Sequence, residues 1–258
     1  MNFMNAVRTL VVAGTAAVVP LTAVAADNGN TPGAIHCLAT VATDPPAAVA
    51  ESQALYEAGD TIGSRHCLGD ALVAQGEVSR GARILDDLAR EASKARDVPA
   101  EVQGAIWGDA GRAWLEADDV AKALAALNAA IALRPQDMQL RVDRAVAFGN
   151  ARRFWEAIDD LNAAISNGVE TAEAYLLRAT AWREVGTTEL AADDIDRAAQ
   201  KAPNDPGVLL ERGRIRKLTN DMDGARRDFL AVVKIAPGSE AGTVARHELE
   251  TLTGPRRR

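Results

Sequence analysis

The chain has 258 residues, few aromatic side chains (4%) and a formal net charge of −7. This acidic balance excludes sequence-independent binding of nucleic acid, which needs a surplus of Lys and Arg to neutralise phosphates. Abundant alanine, with few aromatic or β-branched runs, disfavours a sheet and favours closely packed helices. The composition therefore predicts an all-α protein.

Residues 1–26 have the order of a cleavable signal peptide. Arg8 precedes the short apolar run 10–19, and the small residues at 23–26 lead into a polar segment. The apolar run is shorter than the roughly 20 residues of a membrane-spanning helix. We expect cleavage near Ala25 or Ala26, a periplasmic or secreted protein, and no integral membrane segment after cleavage.

Residues 27–103 are predicted to form an irregular helical region with a capping helix at 47–58 and one divergent repeat. The motif His36-Cys37-Leu38 recurs as His66-Cys67-Leu68. An even cysteine count in an oxidising compartment favours a Cys37–Cys67 disulfide. The alternative is a zinc site made of both cysteines and both histidines, although neighbouring residues on a helix point about 100° apart.

From residue 104 to 237 the sequence repeats every 34 residues. Each unit carries a small residue, a bulky residue, an alanine and a final proline. Column by column these are Gly111, Ala145, Ala179 and Gly213; Trp114, Phe148, Trp182 and Arg216; Ala123, Ala157, Ala191 and Ala225; and Pro135, Val169, Pro203 and Pro237. Apolar positions three and four apart, as in residues 157–165, predict two helices per unit. Such pairs must stack to bury their apolar faces.

These columns resemble the tetratricopeptide repeat, a 34-residue helix-turn-helix unit, over about half of the chain. The resemblance implies an α-α superhelix whose first helices line a concave groove that binds a peptide segment. The positions that chaperone-binding members use to hold acidic tails carry Gly108, Arg112, Asp143, Glu173 and Leu177. Only one of these is cationic, so that basic clamp is absent.

Two columns sixteen residues apart change together. Apolar residues face apolar residues in the early units, and in the later units Arg144, Arg178 and Arg212 stand opposite Asp160, Asp194 and Asp228. Covariation of charge predicts contact between the two helices of a unit. We expect partly buried ion pairs there.

Residues 238–258 are predicted to form a capping helix and a basic tail. The helix has a weak apolar stripe at Ala241, Ala245, Leu249 and Leu252. The stripe would cover the open end of the last helix pair.

The predicted binding surface lies on the first helices of the regular units, on the side away from the partner helix. Its residues are Val142, Val146, Leu176, Thr180, Arg183, Leu210, Arg214 and Lys217. The apolar members have no evident packing role, and such stripes often mark an interaction surface. The three cations would favour an acidic or carboxylate-bearing ligand. The alternative is that they extend over neighbouring helices and pair with Glu184 and Glu211 of the chain itself.

No pattern indicates catalysis, a cofactor or a resident metal. Paired carboxylates such as Asp159-Asp160 recur with the repeat, as solvated helix faces do, whereas a catalytic pair is normally unique. The hypothesis is a non-catalytic, exported scaffold that binds a protein or peptide partner in the cell envelope. The alternatives are a metal-binding or enzymatic protein with a site around His36, Cys37, His66 and Cys67, and a purely structural spacer.

Overall fold

The computed structural model describes residues 31–253, so the predicted signal peptide and the end of the basic tail lie outside it. Those residues form thirteen helices and no strand, which confirms the all-α prediction. In chain order the helices are α1 (Pro32–Val41), α2 (Pro45–Glu57), α3 (Thr61–Ala74), α4 (Val78–Ala92), α5 (Ala100–Glu116), α6 (Val120–Leu133), α7 (Met138–Asn150), α8 (Phe154–Ser166), α9 (Ala172–Glu184), α10 (Thr188–Lys201), α11 (Pro206–Leu218), α12 (Met222–Ile235) and α13 (Glu240–Thr253).

From α3 to α12 the helices are arranged as first and second helices joined by turns of three residues. The middle turn residue has a φ of 58° to 87° in every case: Gly76, Asp118, Arg152, Gly186 and Asn220. This left-handed conformation reverses the chain within three residues, and it costs least at Gly, Asn or Asp. The 34-residue period therefore extends to the turn as well as to the helices.

The described residues divide into an N-terminal unit, 31–147, and a C-terminal unit, 148–253. Helix α7 begins in the first unit and ends in the second. The boundary that the sequence suggests near residue 104 concerns the regularity of the repeats and lies within the N-terminal unit. Within the units, α3 packs on α4, α5 on α6, α9 on α10 and α11 on α12.

Small residues permit the close packing that the columns predict. A Cβ atom at Gly111 of α5 would lie 2.6 Å from Cγ of Leu127 on α6. At Gly213 of α11 it would lie 2.4 Å from Cε1 of Phe229 on α12. A side chain at either glycine would push the two helices of its pair apart, so these positions set the distance between them.

The N-terminal end has one helix that the sequence reading missed. Helix α1 begins after Thr31, whose Oγ1 accepts a hydrogen bond from the Ala34 amide. Cys37 of α1 and Cys67 of α3 form the predicted disulfide. Both are fully buried beside Ala48 of α2, so the bond attaches the first two helices to the first pair.

The first two turn residues, Gly76 and Asp118, are 42 residues apart rather than 34. The eight additional residues enlarge one connection and one helix. Residues 93–99 join α4 to α5, and α5 begins at Ala100, four residues earlier than the regular lattice requires. Val98 and Val102 are buried against Leu88 in one apolar cluster. The Trp107 indole Nε1 donates a hydrogen bond to Ser93 Oγ at 3.0 Å, so the longer connection is packed onto the stack.

The last helix, α13, covers the end of the final pair as predicted. Ala241 and Ala245 are buried with Leu210 and Phe229 in one cluster, and Leu249 packs against it. No helix among residues 31–253 is both long enough and apolar enough to span a bilayer.

Candidate functional site

Two cavities open between successive first helices, one in each unit. The N-unit cavity, of about 280 Å³, lies between α3 and α5. The C-unit cavity, of about 230 Å³, lies between α9, α11 and α13. Their lining residues are Asp70, Val73, Ala74, Asp109, Arg112, Ala113 and Glu116 in the first and Arg183, Arg214, Lys217, Leu218 and Glu248 in the second.

The apolar part of the predicted binding surface is core rather than surface. Val142, Val146, Leu176, Thr180 and Leu210 are all buried. The premise that they lack a packing role is therefore wrong. Two of these side chains pack against a later helix of the stack. Leu176 of α9 shares an apolar cluster with Val208 of α11, and Leu210 of α11 shares one with Ala241 of α13.

The cationic part of that prediction does lie together, at the C-unit cavity. Arg183 donates to the Glu211 carboxylate through Nε, and Arg214 Nη1 lies 3.5 Å from the same group. Lys217 Nζ donates to Glu248 Oε2 at 2.6 Å. The Glu211 side chain is only 1% exposed, so it forms a buried anionic partner for Arg183 and Arg214.

This arrangement stabilises the charged forms of its members. Burial lowers the pKa of Arg183, but the charge and hydrogen bond of Glu211 outweigh it and raise the pKa. Burial also opposes ionisation of Glu248 by raising its pKa. The hydrogen bond and charge of Lys217 and the charge of Arg214 outweigh burial, so the net effect is a lowered pKa. Arg183 and Glu248 are therefore held in their charged forms.

The N-unit cavity adjoins a cluster of His66, Asp70 and Asp109, here called the His66 cluster. His66 Nε2 lies 2.7 Å from Asp109 Oδ2 and 3.7 Å from Asp70 Oδ2. Arg112 donates to the other oxygen of Asp109 and, at 2.9 Å, to Asp143 Oδ2. His66 and Asp70 are one helical turn apart on α3, whereas Asp109 and Arg112 lie on α5 and Asp143 on α7.

The two carboxylates of the His66 cluster have opposite electrostatic environments. Burial and the neighbouring Asp109 carboxylate raise the pKa of Asp70 to about 7. Burial also opposes ionisation of Asp109, but the charge of Arg112 and the hydrogen bond with His66 lower its pKa. Burial lowers the pKa of His66, but the Asp109 hydrogen bond and the charges of Asp70 and Asp109 produce a net increase.

The structure does not bring together the four residues of the alternative zinc site. Cys37 and Cys67 are joined to each other. His36 is exposed and lies 3.6 Å from Glu51, while His66 faces the two aspartates. A site made from both motifs is therefore wrong, and His66 belongs to a different set of groups.

The predicted ion pairs are present within the C-terminal unit. Arg178 donates from Nε and Nη2 to the two oxygens of Asp194, each at 2.7 Å. Arg212 makes the equivalent bonds to Asp228 at 3.0 and 2.7 Å. The third predicted pair, Arg144 with Asp160, consists of residues that belong to different units, and it stays a prediction.

Two of these arginines also bond an asparagine that the sequence analysis did not predict. Arg178 Nη1 donates to Asn162 Oδ1 at 2.8 Å, and Arg144 Nη1 donates to Asn128 Oδ1 at 2.7 Å. Both asparagines precede their arginine by sixteen residues. The sixteen-residue spacing that predicted the aspartates after each arginine also indicates these asparagines when it is counted towards the N-terminus.

The remaining groups at the cavities were missed for a different reason. Asp70, Asp109 and Glu248 are single carboxylates without a motif of their own. Asp109 and Glu248 have partners on other helices, His66 at a separation of 43 residues and Lys217 at a separation of 31. The repeat register could have aligned these positions on the first helices, but it does not indicate which of them bond.

Comparison with known proteins agrees with the helix-pair architecture. The sequence matches the tetratricopeptide repeat family over residues 68–137 and 142–206, more than half of the chain. No match is found among curated proteins.

Solved structures with similar folds have low sequence identity. Pseudomonas aeruginosa PilF has a TM-score of 0.68 and 15% identity, covering 85% of this chain and 97% of its own. MamA (41-end) from Desulfovibrio magneticus RS-1 has a TM-score of 0.58 and 16% identity, with coverage of 69% and 97%. YrrB, a tetratricopeptide repeat protein with an unusual peptide-binding site, has a TM-score of 0.56 and 13% identity, with coverage of 76% and 97%. At these identities the similarity concerns the fold.

Proposed function

The chain belongs to the tetratricopeptide repeat family, and on that premise we propose that it is an exported, non-catalytic scaffold that binds an acidic segment of a protein partner in the cell envelope. Export is supported by the order of residues 1–26 and by the buried Cys37–Cys67 disulfide. The proposed location is the periplasm or the extracellular medium.

The observation that carries the binding proposal is the C-unit cavity. Arg183, Arg214 and Lys217 line it with one carboxylate, Glu248. The Leu218 side chain at its edge is 59% exposed. An acidic segment would place a carboxylate against Lys217, the most exposed of the three cations, and an apolar side chain against Leu218. Charge complementarity of this kind mainly sets specificity and association rate.

A photo-crosslinking side chain at Leu218 tests the proposal in cells. The matched control is the same substitution at Leu230, which is 52% exposed but lies on the second helix α12. We expect a discrete protein adduct from position 218 and none of that size from position 230. Adding Lys217→Gln should lower the yield of the adduct.

Two outcomes would contradict the proposal. Equal adducts from both positions would indicate non-specific proximity, and adducts from neither would favour the structural spacer. Circular dichroism of each variant establishes beforehand that the helices are retained. Fractionation of the same cells tests export, since a cytosolic protein that retains Met1 would refute it.

A further inference from the structure

We propose that the His66 cluster is a binding site for a divalent transition-metal ion of the Zn²⁺ class, with His66 Nε2 and one carboxylate oxygen each from Asp70 and Asp109 as ligands. This site is separate from the C-unit cavity and does not depend on the proposed protein-binding function.

The donor atoms have the identity and spacing that such an ion requires. One imidazole nitrogen and two carboxylate oxygens lie within 4.8 Å of one another. Zn²⁺ binds nitrogen and oxygen at about 2.0–2.2 Å, so neighbouring donors in a tetrahedral set lie about 3.3 Å apart. The two measured separations from His66 Nε2, 2.7 Å to Asp109 and 3.7 Å to Asp70, bracket that value.

The cluster is also incomplete as a set of ordinary ion pairs. Asp70 makes no hydrogen bond within residues 31–253, and its ion-pair contact is with His66 at 3.7 Å. The His66 side chain is 4% exposed, and its other nitrogen, Nδ1, has no hydrogen-bond partner there. The ring is therefore not fixed at Nδ1, so a small rotation would lengthen the Nε2–Asp109 separation enough to admit an ion.

The surroundings of Asp109 match those of a ligating carboxylate. Arg112 holds one oxygen of Asp109 and is itself held by Asp143, which leaves the Asp109 oxygen nearest to His66 for the ion. Outer groups that orient a ligating carboxylate in this way are a regular feature of metal sites. Asp70 and Asp109 also line the N-unit cavity, which provides room for the water that completes an open coordination shell.

Binding requires an exchange of protons that can be specified. The ion takes the position of the proton shared between His66 Nε2 and Asp109 Oδ2, and that proton, together with any proton bound to the Asp70 carboxyl group, is released to solvent. Metal affinity should therefore decrease on acidification. Cysteine does not contribute, because Cys37 and Cys67 form the disulfide.

The test is titration of Zn²⁺ into the oxidised, metal-free mature chain by calorimetry, with Co²⁺ absorption as a second readout of coordination. The sequence contains three histidines, so the control variant His36→Gln with His247→Gln leaves His66 as the sole imidazole. We expect one ion per chain in the wild type and in this control. Asp70→Asn, which is nearly isosteric, should weaken binding by about 10-fold or more, and His66→Gln should abolish it.

Each other outcome overturns the proposal. Absence of stoichiometric binding would leave the cluster as a structural ion pair, while unchanged affinity in Asp70→Asn would place the ion elsewhere. Loss of binding in the His36 and His247 control would assign it to exposed histidines. Circular dichroism and the Co²⁺ spectrum of Asp70→Asn distinguish a lost ligand from a lost fold.

Discussion

Removing the Arg178 guanidinium should destabilise the protein more than removing the whole Arg178–Asp194 pair. The Arg178→Ala variant leaves both oxygens of Asp194, a side chain that is 4% exposed, without their donors. Breaking a buried pair from one side costs about 3–5 kcal/mol, because an uncompensated charge remains. In Arg178→Leu with Asp194→Leu no charge remains, and the expected cost is the lost bond to Asn162, about 1 kcal/mol.

The chain provides a matched comparison for this experiment. Asp228 accepts from Arg212 and, at 2.6 Å, from Arg216 Nη1. The Arg212→Ala variant therefore leaves its aspartate with one donor, and it should cost less than Arg178→Ala by at least about 1 kcal/mol. The two experiments use the same substitution at equivalent positions of successive units.

Urea unfolding followed by circular dichroism measures these free energies. Fluorescence of the tryptophans must give the same transition, since a stack of repeats can unfold in parts. Additive effects of the two Leu substitutions would refute a coupled buried pair. Equal losses in Arg178→Ala and Arg212→Ala would refute the compensation by Arg216.

Three further predictions concern other parts of the chain. Arg152 has a left-handed backbone conformation that is strained for a residue with a side chain, so Arg152→Gly should raise the free energy of unfolding by about 1 kcal/mol in the same urea assay. Gly186→Ala introduces the same strain and should lower the free energy of unfolding by about 1 kcal/mol. Cys37→Ser with Cys67→Ser should lower it by about 3–4 kcal/mol in the chain-entropy account, and a loss below 1 kcal/mol would contradict this. The lowered pKa of Glu248 means that its carboxylate stabilises the fold above its ordinary pKa and loses this effect on acidification. The stability gap between wild type and Glu248→Gln should therefore shrink from pH 7 to pH 3, and a constant gap would show that the charge is irrelevant.

The period of 34 predicted most of the fold because it reports the packing of helices within a pair. Gly111 and Gly213 belong to the small column, and each lies against a side chain of its partner helix, Leu127 or Phe229. The same period predicted the Arg178–Asp194 contact, since covarying charges at fixed spacing mark neighbouring helices. Helix α1 was missed because it lies outside the period, although Thr31 and Pro32 provide an ordinary helix start.

The binding surface was predicted less well because each pair was considered in isolation. Leu176 and Leu210 seemed to lack a packing partner only because the following first helix was left out. Contacts such as that between His66 and Asp109, 43 residues apart, depend on how neighbouring pairs are placed, and a single sequence contains no direct record of that distance. Residues 104–237 therefore specify the scaffold more completely than they specify its sites.

The arginine contacts also bear on how such a chain gains or loses length during evolution. Arg178 binds one residue sixteen positions before it and one sixteen positions after it. Arg212 likewise has Asp196 sixteen residues before it and Asp228 sixteen residues after it. The hydrogen bonds and charge of Asp228, together with the charge of Asp196, raise the pKa of Arg212. Excision or duplication of any 34-residue block in this part of the chain preserves both offsets, so recombination can change the number of units while an arginine keeps oxygen-bearing side chains sixteen residues before and after it.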